Sequence, residues 1–82
     1  MDIRQIGLQF KKELEQERSE SKAMEIAQKI NKLPISDEEK MHIINYIKYP
    51  MYDHVTGRIM ILDSDNSKFL KLVGLMASKI KK

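Results

Sequence analysis

The chain has 82 residues, with 15 basic and 12 acidic groups, a formal charge of +3 and no cysteine or tryptophan. At this length it makes one domain (residues 1–82), and folding removes from water only about 60–65% of the surface the unfolded chain exposes, so the core is thin. Disulfide frameworks and thiolate metal sites are excluded, no apolar run approaches the ~18 residues of a membrane span, and the N-terminus lacks the apolar stretch of a signal peptide. The expectation is a cytoplasmic protein without membrane contact, held together by packing within the chain or shared with a second chain.

Residues 2–18 place Ile3, Ile6, Gly7, Phe10 and Leu14 on one narrow stripe, flanked by Lys11, Glu13, Glu17 and Arg18. A stripe with spacings of three and four resembles a coiled-coil seam, although it lasts only about two heptads. Two placements follow: a helix lying across the domain, or an arm formed by residues 1–20 that protrudes to meet a partner. Gly7 on the stripe lets another backbone approach closely.

A second helical pattern runs from Ser21 to Leu33 through Ala23, Ile26, Ala27 and Ile30. In one continuous helix this stripe would lie nearly opposite the first, so a break is expected in Arg18-Ser19-Glu20-Ser21-Lys22, with Ser19 or Ser21 as N-cap. Pro34 ends the second helix, because the residue before a proline is pushed out of the helical region. Ser36-Asp37-Glu38-Glu39 then forms a capping box, and its acids suit the positive end of the helix dipole. The third helix starts at Asp37, buries Ile43, Ile44 and Ile47, and stops at about Tyr49, before Pro50. Helices two and three are expected to make a tight helical hairpin.

From Tyr52 to Leu62 the period changes. Val55-Thr56-Gly57-Arg58 carries the glycine of a tight turn and Arg58 to Leu62 is rich in β-branched residues, which predicts a small β-hairpin leaning on the helices. Asp63-Ser64-Asp65-Asn66-Ser67 then opens a helix over Asn66 to Lys82. Placed 100° apart, Phe69, Leu70, Leu72, Val73, Met76, Ala77 and Ile80 form a broad apolar arc, wide enough to be packed on by several neighbours. This is the expected central helix. Lys68, Lys71, Lys79 and Lys82 gather on its other side with Leu75 among them. The fold class is mainly α: four helices including a helical hairpin, with a small β-hairpin before the C-terminal helix.

Chemistry-bearing patterns are few. Asp63, Asp65 and Ser67 alternate like the start of a calcium-binding EF-hand loop, but Lys68 stands where that loop needs glycine and Gly74 where it needs a bidentate glutamate. Helix capping explains the cluster. His42 and His54 have no spacing that gathers the three or four ligands of a transition-metal site, so each is expected to be solvated or hydrogen-bonded. No nucleophile motif and no glycine-rich phosphate loop is present, and neither an enzyme nor a cofactor is expected.

Two binding readings remain. The order helix, helical hairpin, β-hairpin, helix resembles that of a winged helix, which implies a nucleic-acid-binding regulator using Arg58, Lys68, Lys71, Lys79 and Lys82 on phosphates. Against it, Asp37-Glu38-Glu39 would meet phosphates with like charge. The favoured reading is a small non-enzymatic regulatory or adaptor protein that binds a protein partner or itself as a homodimer. Its surface would be Ile3, Ile6, Phe10 and Leu14, with the corner at Tyr49 and Tyr52. Tyr46, Tyr49, Met51 and Tyr52 crowd around Pro50, and tyrosine and methionine are enriched at interfaces. Covering the joint between the third helix and the hairpin is the competing role for them. The lysine and isoleucine richness is of a kind common among phage and plasmid proteins.

Overall fold

The computed structural model describes residues 2–49, 52–56, 58–59 and 67–80. The chain folds into α1 (Ile3–Gln16), α2 (Glu20–Asn31), α3 (Asp37–Lys48), β1 (Tyr52–Asp53), β2 (Arg58–Ile59) and α4 (Ser67–Ile80). It is mainly α, with a two-stranded antiparallel hairpin before the last helix, in which Tyr52 faces Ile59 and Asp53 faces Arg58. The turn glycine Gly57, the Pro50-Met51 pair, the capping residues before Ser67, and Lys81 and Lys82 lie outside the described residues.

Local chemistry sets the helix boundaries. Asp2 caps α1 by accepting the Arg4 and Gln5 amides at 3.1 and 3.4 Å. The expected break falls at Glu17 to Ser19, and Ser19 takes the Lys22 amide at 3.1 Å to start α2. At α3 the capping box is complete, because the Ser36 hydroxyl accepts the Glu39 amide at 3.1 Å while the Glu39 carboxylate accepts the Ser36 amide at 3.2 Å. Both orphan donors are thereby satisfied. Tyr49 leaves the helix in an extended conformation (φ −110°, ψ 136°), as the residue before a proline must.

The helices pack in the order α1, α3, α4, α2, so that α3 and α4 form the middle and α1 and α2 the flanks. α4 supplies Phe69, Leu72, Val73, Met76 and Ile80 to the core, more side chains than any other helix among the described residues. Ile43, Ile44, Tyr46 and Ile47 of α3 and Ala23, Ile26, Ala27 and Ile30 of α2 complete it with Ile3 and Leu14 of α1. α2 and α3 are consecutive and joined by a short turn, but they touch little, each finding its main partner elsewhere. Across their joint, Lys40 Nζ donates to the Asn31 carbonyl at 3.2 Å, placing a cation at the negative end of α2.

The arm formed by residues 1–20 does not protrude. The radius of gyration, 11.7 Å, equals that of a compact chain of this length at about 2.2·N^0.38 Å. α1 lies along α3, and Gly7 makes the approach possible. A Cβ at position 7 would stand 2.5 Å from Tyr46 Cβ and 3.2 Å from the Ile43 carbonyl oxygen. The seam-like stripe is thus largely internal, narrow because one helix, α3, receives most of it.

Charges clasp the flanks. Lys22 meets Glu13 at 3.5 Å and Glu25 at 3.4 Å, and Lys29 meets Glu13 at 3.8 Å and Glu25 at 3.2 Å, tying α1 to α2. Arg18, in the break between them, lies 5.7 Å from the centre of the Phe69 ring and joins that corner to the start of α4. Among the described residues no helix is long and apolar enough to cross a membrane.

Candidate functional site

Three surfaces hold the residues that the sequence singles out. The first is on α1. Ile3 and Leu14 are 7% and 0% exposed, so both are spent on the chain's own core and offer nothing to a partner. Ile6 and Phe10, one turn apart, stay partly exposed and form the floor of an open groove of about 420 Å³ together with Gln5, Gln9 and Leu33. Leu33 comes from the turn after α2, beyond the last helical residue, where the Pro34 break leaves it free to fold back toward α1. The groove is therefore apolar inside and carries two uncharged amides on its rim.

Spacing in the sequence marks Ile6 and Phe10 but not Leu33, Gln5 and Gln9 as their neighbours. Leu33 has one signal, since it is the final member of the second stripe and has no room left in α2. The glutamines have none, because nothing in their spacing separates a groove rim from a solvated face.

The second surface is the joint between α3 and the hairpin. His42 and Tyr46 stand one turn apart on α3, while Tyr52 and His54 stand two residues apart near β1, so the two pairs match in spacing. His42 Nδ1 and the Tyr52 hydroxyl are hydrogen-bonded at 2.8 Å, and the Tyr46 hydroxyl bonds His54 Nδ1. The Tyr46 and Tyr52 rings meet edge to face at 5.2 Å, and Tyr49 adds a tilted contact to Tyr52 at 6.3 Å. This favourable ring geometry fixes a hairpin too short to be stable alone. Tyr49 and Tyr52 thus cover the joint, and both are only partly exposed.

Beside the joint lies a polar cavity of about 370 Å³ lined by Arg4, Tyr46, Tyr52, Asp53 and His54. Asp53 Oδ1 accepts the Val55 amide at 3.0 Å, which closes the first half of the hairpin turn. That backbone bond, the largest influence, holds the Asp53 carboxyl below its ordinary value, against a smaller opposing effect of desolvation and with help from Thr56. Both histidines have one nitrogen committed to a tyrosine. Among the described residues no three His, Cys, Asp or Glu side chains converge as metal ligands.

The third surface is the outer side of α4. Lys68, Lys71 and Lys79 are exposed, and none is ion-paired among the described residues. The Arg58 side chain and Lys82, named with them in the sequence reading, lie outside the described residues. The winged-helix arrangement is not formed around them. It needs helices two and three packed together with the third standing free, whereas α3 is flanked by α1 and α4 and touches α2 little. The exposed first turn of α3 is Asp37, Glu38 and Glu39.

No family model, curated protein or solved structure matches the chain.

Proposed function

We propose that the chain is a small non-enzymatic regulatory or adaptor protein that works by protein–protein contact through α1, and that the occupant of its groove is the same face of a second copy. One observation carries this reading: after the fold has taken Ile3, Gly7 and Leu14, α1 still presents the apolar strip Ile6 and Phe10 against Leu33, with no charge on the groove's lining.

The strip supports a two-fold contact because α1 is compatible with itself. In an antiparallel pair of α1 helices centred on Gln9, Gln9 faces its own copy and Gln5 faces Glu13, whose carboxylate Lys22, Lys29 and the Gln9 amide of its own chain already hold. The two Glu13 side chains then stand ~12 Å apart along the axis at 1.5 Å rise per residue, so no like charges are pressed together. Such an isologous contact closes on itself and yields a dimer, not a filament. Apolar burial drives it, so its strength is insensitive to salt.

Gln9→Cys tests the geometry directly. The chain has no native cysteine, so an introduced thiol reports on this contact alone. Mild oxidation is expected to yield a disulfide-linked dimer from Gln9→Cys and far less from a Gln28→Cys control on the exposed face of α2. Equal cross-linking of the two variants, or none from Gln9→Cys, would overturn the reading. Capture of a different protein by a chain that stays monomeric would also overturn it.

A further inference from the structure

The surface left unexplained by the groove is the outer face of α4, and its charge is one-sided. Residues 67–82 contain five lysines, Lys68, Lys71, Lys79, Lys81 and Lys82, and no acid, a charge of +5. Since the whole chain carries +3, residues 1–66 carry −2. Three lysines of α2 and α3 behave differently. Lys22 and Lys29 are shared between Glu13 and Glu25, and Lys40 lies 3.8 Å from Asp37. A basic helix on an acidic body, with Lys68, Lys71 and Lys79 unpaired among the described residues, is more than the residue of a mixed surface.

We propose that this face of α4 binds the phosphate backbone of double-stranded DNA without reading its sequence. Lys68 and Lys71 stand one turn apart and Lys79 about 16 Å beyond Lys68 at 1.5 Å per residue, a row long enough to meet several phosphates. Between them lie the half-exposed Leu75, the exposed Ser78, and Gly74, which has nothing within 4 Å of where a Cβ would be. The Ser78 hydroxyl is already spent on the Leu75 carbonyl at 2.7 Å. Lysine and serine can touch base edges, but the planar Arg, Asn and Gln side chains that grip one bidentately are absent from the outer face.

Other polyanions fit less well. An anionic membrane surface rewards an apolar wedge beneath the lysines, but the apolar face of α4 is buried in the core. Single strands are held by aromatic stacking platforms, and the only aromatic residue of α4, Phe69, is 5% exposed. An acidic protein surface would need a Trp, Tyr or Arg anchor, and this face carries none of the three.

The experiment is fluorescence anisotropy of a labelled mixed-sequence DNA duplex titrated with the full chain over a salt series. Each phosphate neutralised contributes about −0.9 to the slope of log K against log salt, so the three described lysines predict a slope of at least about −2.7. Lys71→Gln with Lys79→Gln should flatten the slope by ~1.8, whereas Lys71→Arg with Lys79→Arg should preserve binding. Lys11→Gln with Lys12→Gln on α1 should leave the slope unchanged. All of these positions lie outside the buried core, so the substitutions leave the fold intact, which circular dichroism verifies. No retention of the duplex at low salt would overturn the proposal. So would a slope that the α4 variants do not change, or tighter binding to phosphatidylserine vesicles or single strands than to the duplex.

Discussion

The approach of α1 to α3 rests on a missing methyl group, and Gly7→Ala measures it. In a free helix the change is favourable by ~1 kcal/mol, because alanine is the best helix former and glycine among the worst. Here the new Cβ would stand 2.5 Å from Tyr46 Cβ and 3.2 Å from the Ile43 carbonyl oxygen, both fixed to the α3 backbone and unable to rotate away. Relief requires the helices to separate, which loosens Ile3 and Leu14 in the core. Overpacking of this kind costs about 1–3 kcal/mol or more, and a contact with immovable atoms belongs at the upper end. The expected net loss is ~2 kcal/mol, which lowers Tm by about 8–16 °C in a domain of this size. Gly74→Ala is the matched control. That glycine is also helical but exposed, with open space around it, so the same substitution should stabilise by ~1 kcal/mol. Urea denaturation followed by far-ultraviolet circular dichroism gives both values. A Gly7→Ala variant as stable as the parent would refute the described packing of α1 on α3.

Further outcomes follow from the caps and the charge clasp. Ser36→Ala removes one half of the capping box and should cost ~1 kcal/mol in the same denaturation assay, and Glu39→Ala on that background should add little, since the two act as a unit. The clasp between α1 and α2 sets the pH profile. Hydrogen bonds from Lys29 and Lys22 hold the Glu25 carboxyl below its ordinary value of 4.5, so its contribution is present above that value and is lost as pH falls through the lowered one. Desolvation alone would lower Lys22, but Glu25 and Glu13 overcome it and raise the ammonium above 10.5. Its contribution is therefore complete below pH 10.5 and lost as pH rises through the raised value. Thermal melts should show a plateau between these limits, with both shoulders weaker at high salt because the charges are near the surface. A profile unchanged by Glu25→Gln would remove the clasp from the account.

Elements whose causes are local were legible in the sequence. Ser36 and Glu39 announce α3, Ser19 lies in a polar break that two opposed stripes make necessary, and the arc from Phe69 to Ile80 does become the largest contributor to the core. What the sequence could not carry is the choice of partner for each face. Ile3 and Leu14 read as seam residues because a stripe that meets one internal helix has the same spacing as one that meets another molecule. Gly7 gave the clue to close approach without saying that the approaching element is α3. Likewise, His42 with Tyr52 and Tyr46 with His54 match only once a helix and a strand lie side by side, since a spacing of four on one is set against two on the other. The groove depends on Leu33 folding back after Pro34, a tertiary event that residue spacing does not record.

The most direct measurement of the central claim is light scattering coupled to size-exclusion chromatography, run over a protein concentration series at low and high salt. The self-pairing of α1 predicts a mass approaching twice 9.6 kDa as concentration rises, the same at both salt levels. It also predicts a folded monomer for Gln9→Arg, which sets like charges face to face on the two-fold axis. A mass of 9.6 kDa at every concentration, or a dimer that Gln9→Arg leaves intact, would contradict it.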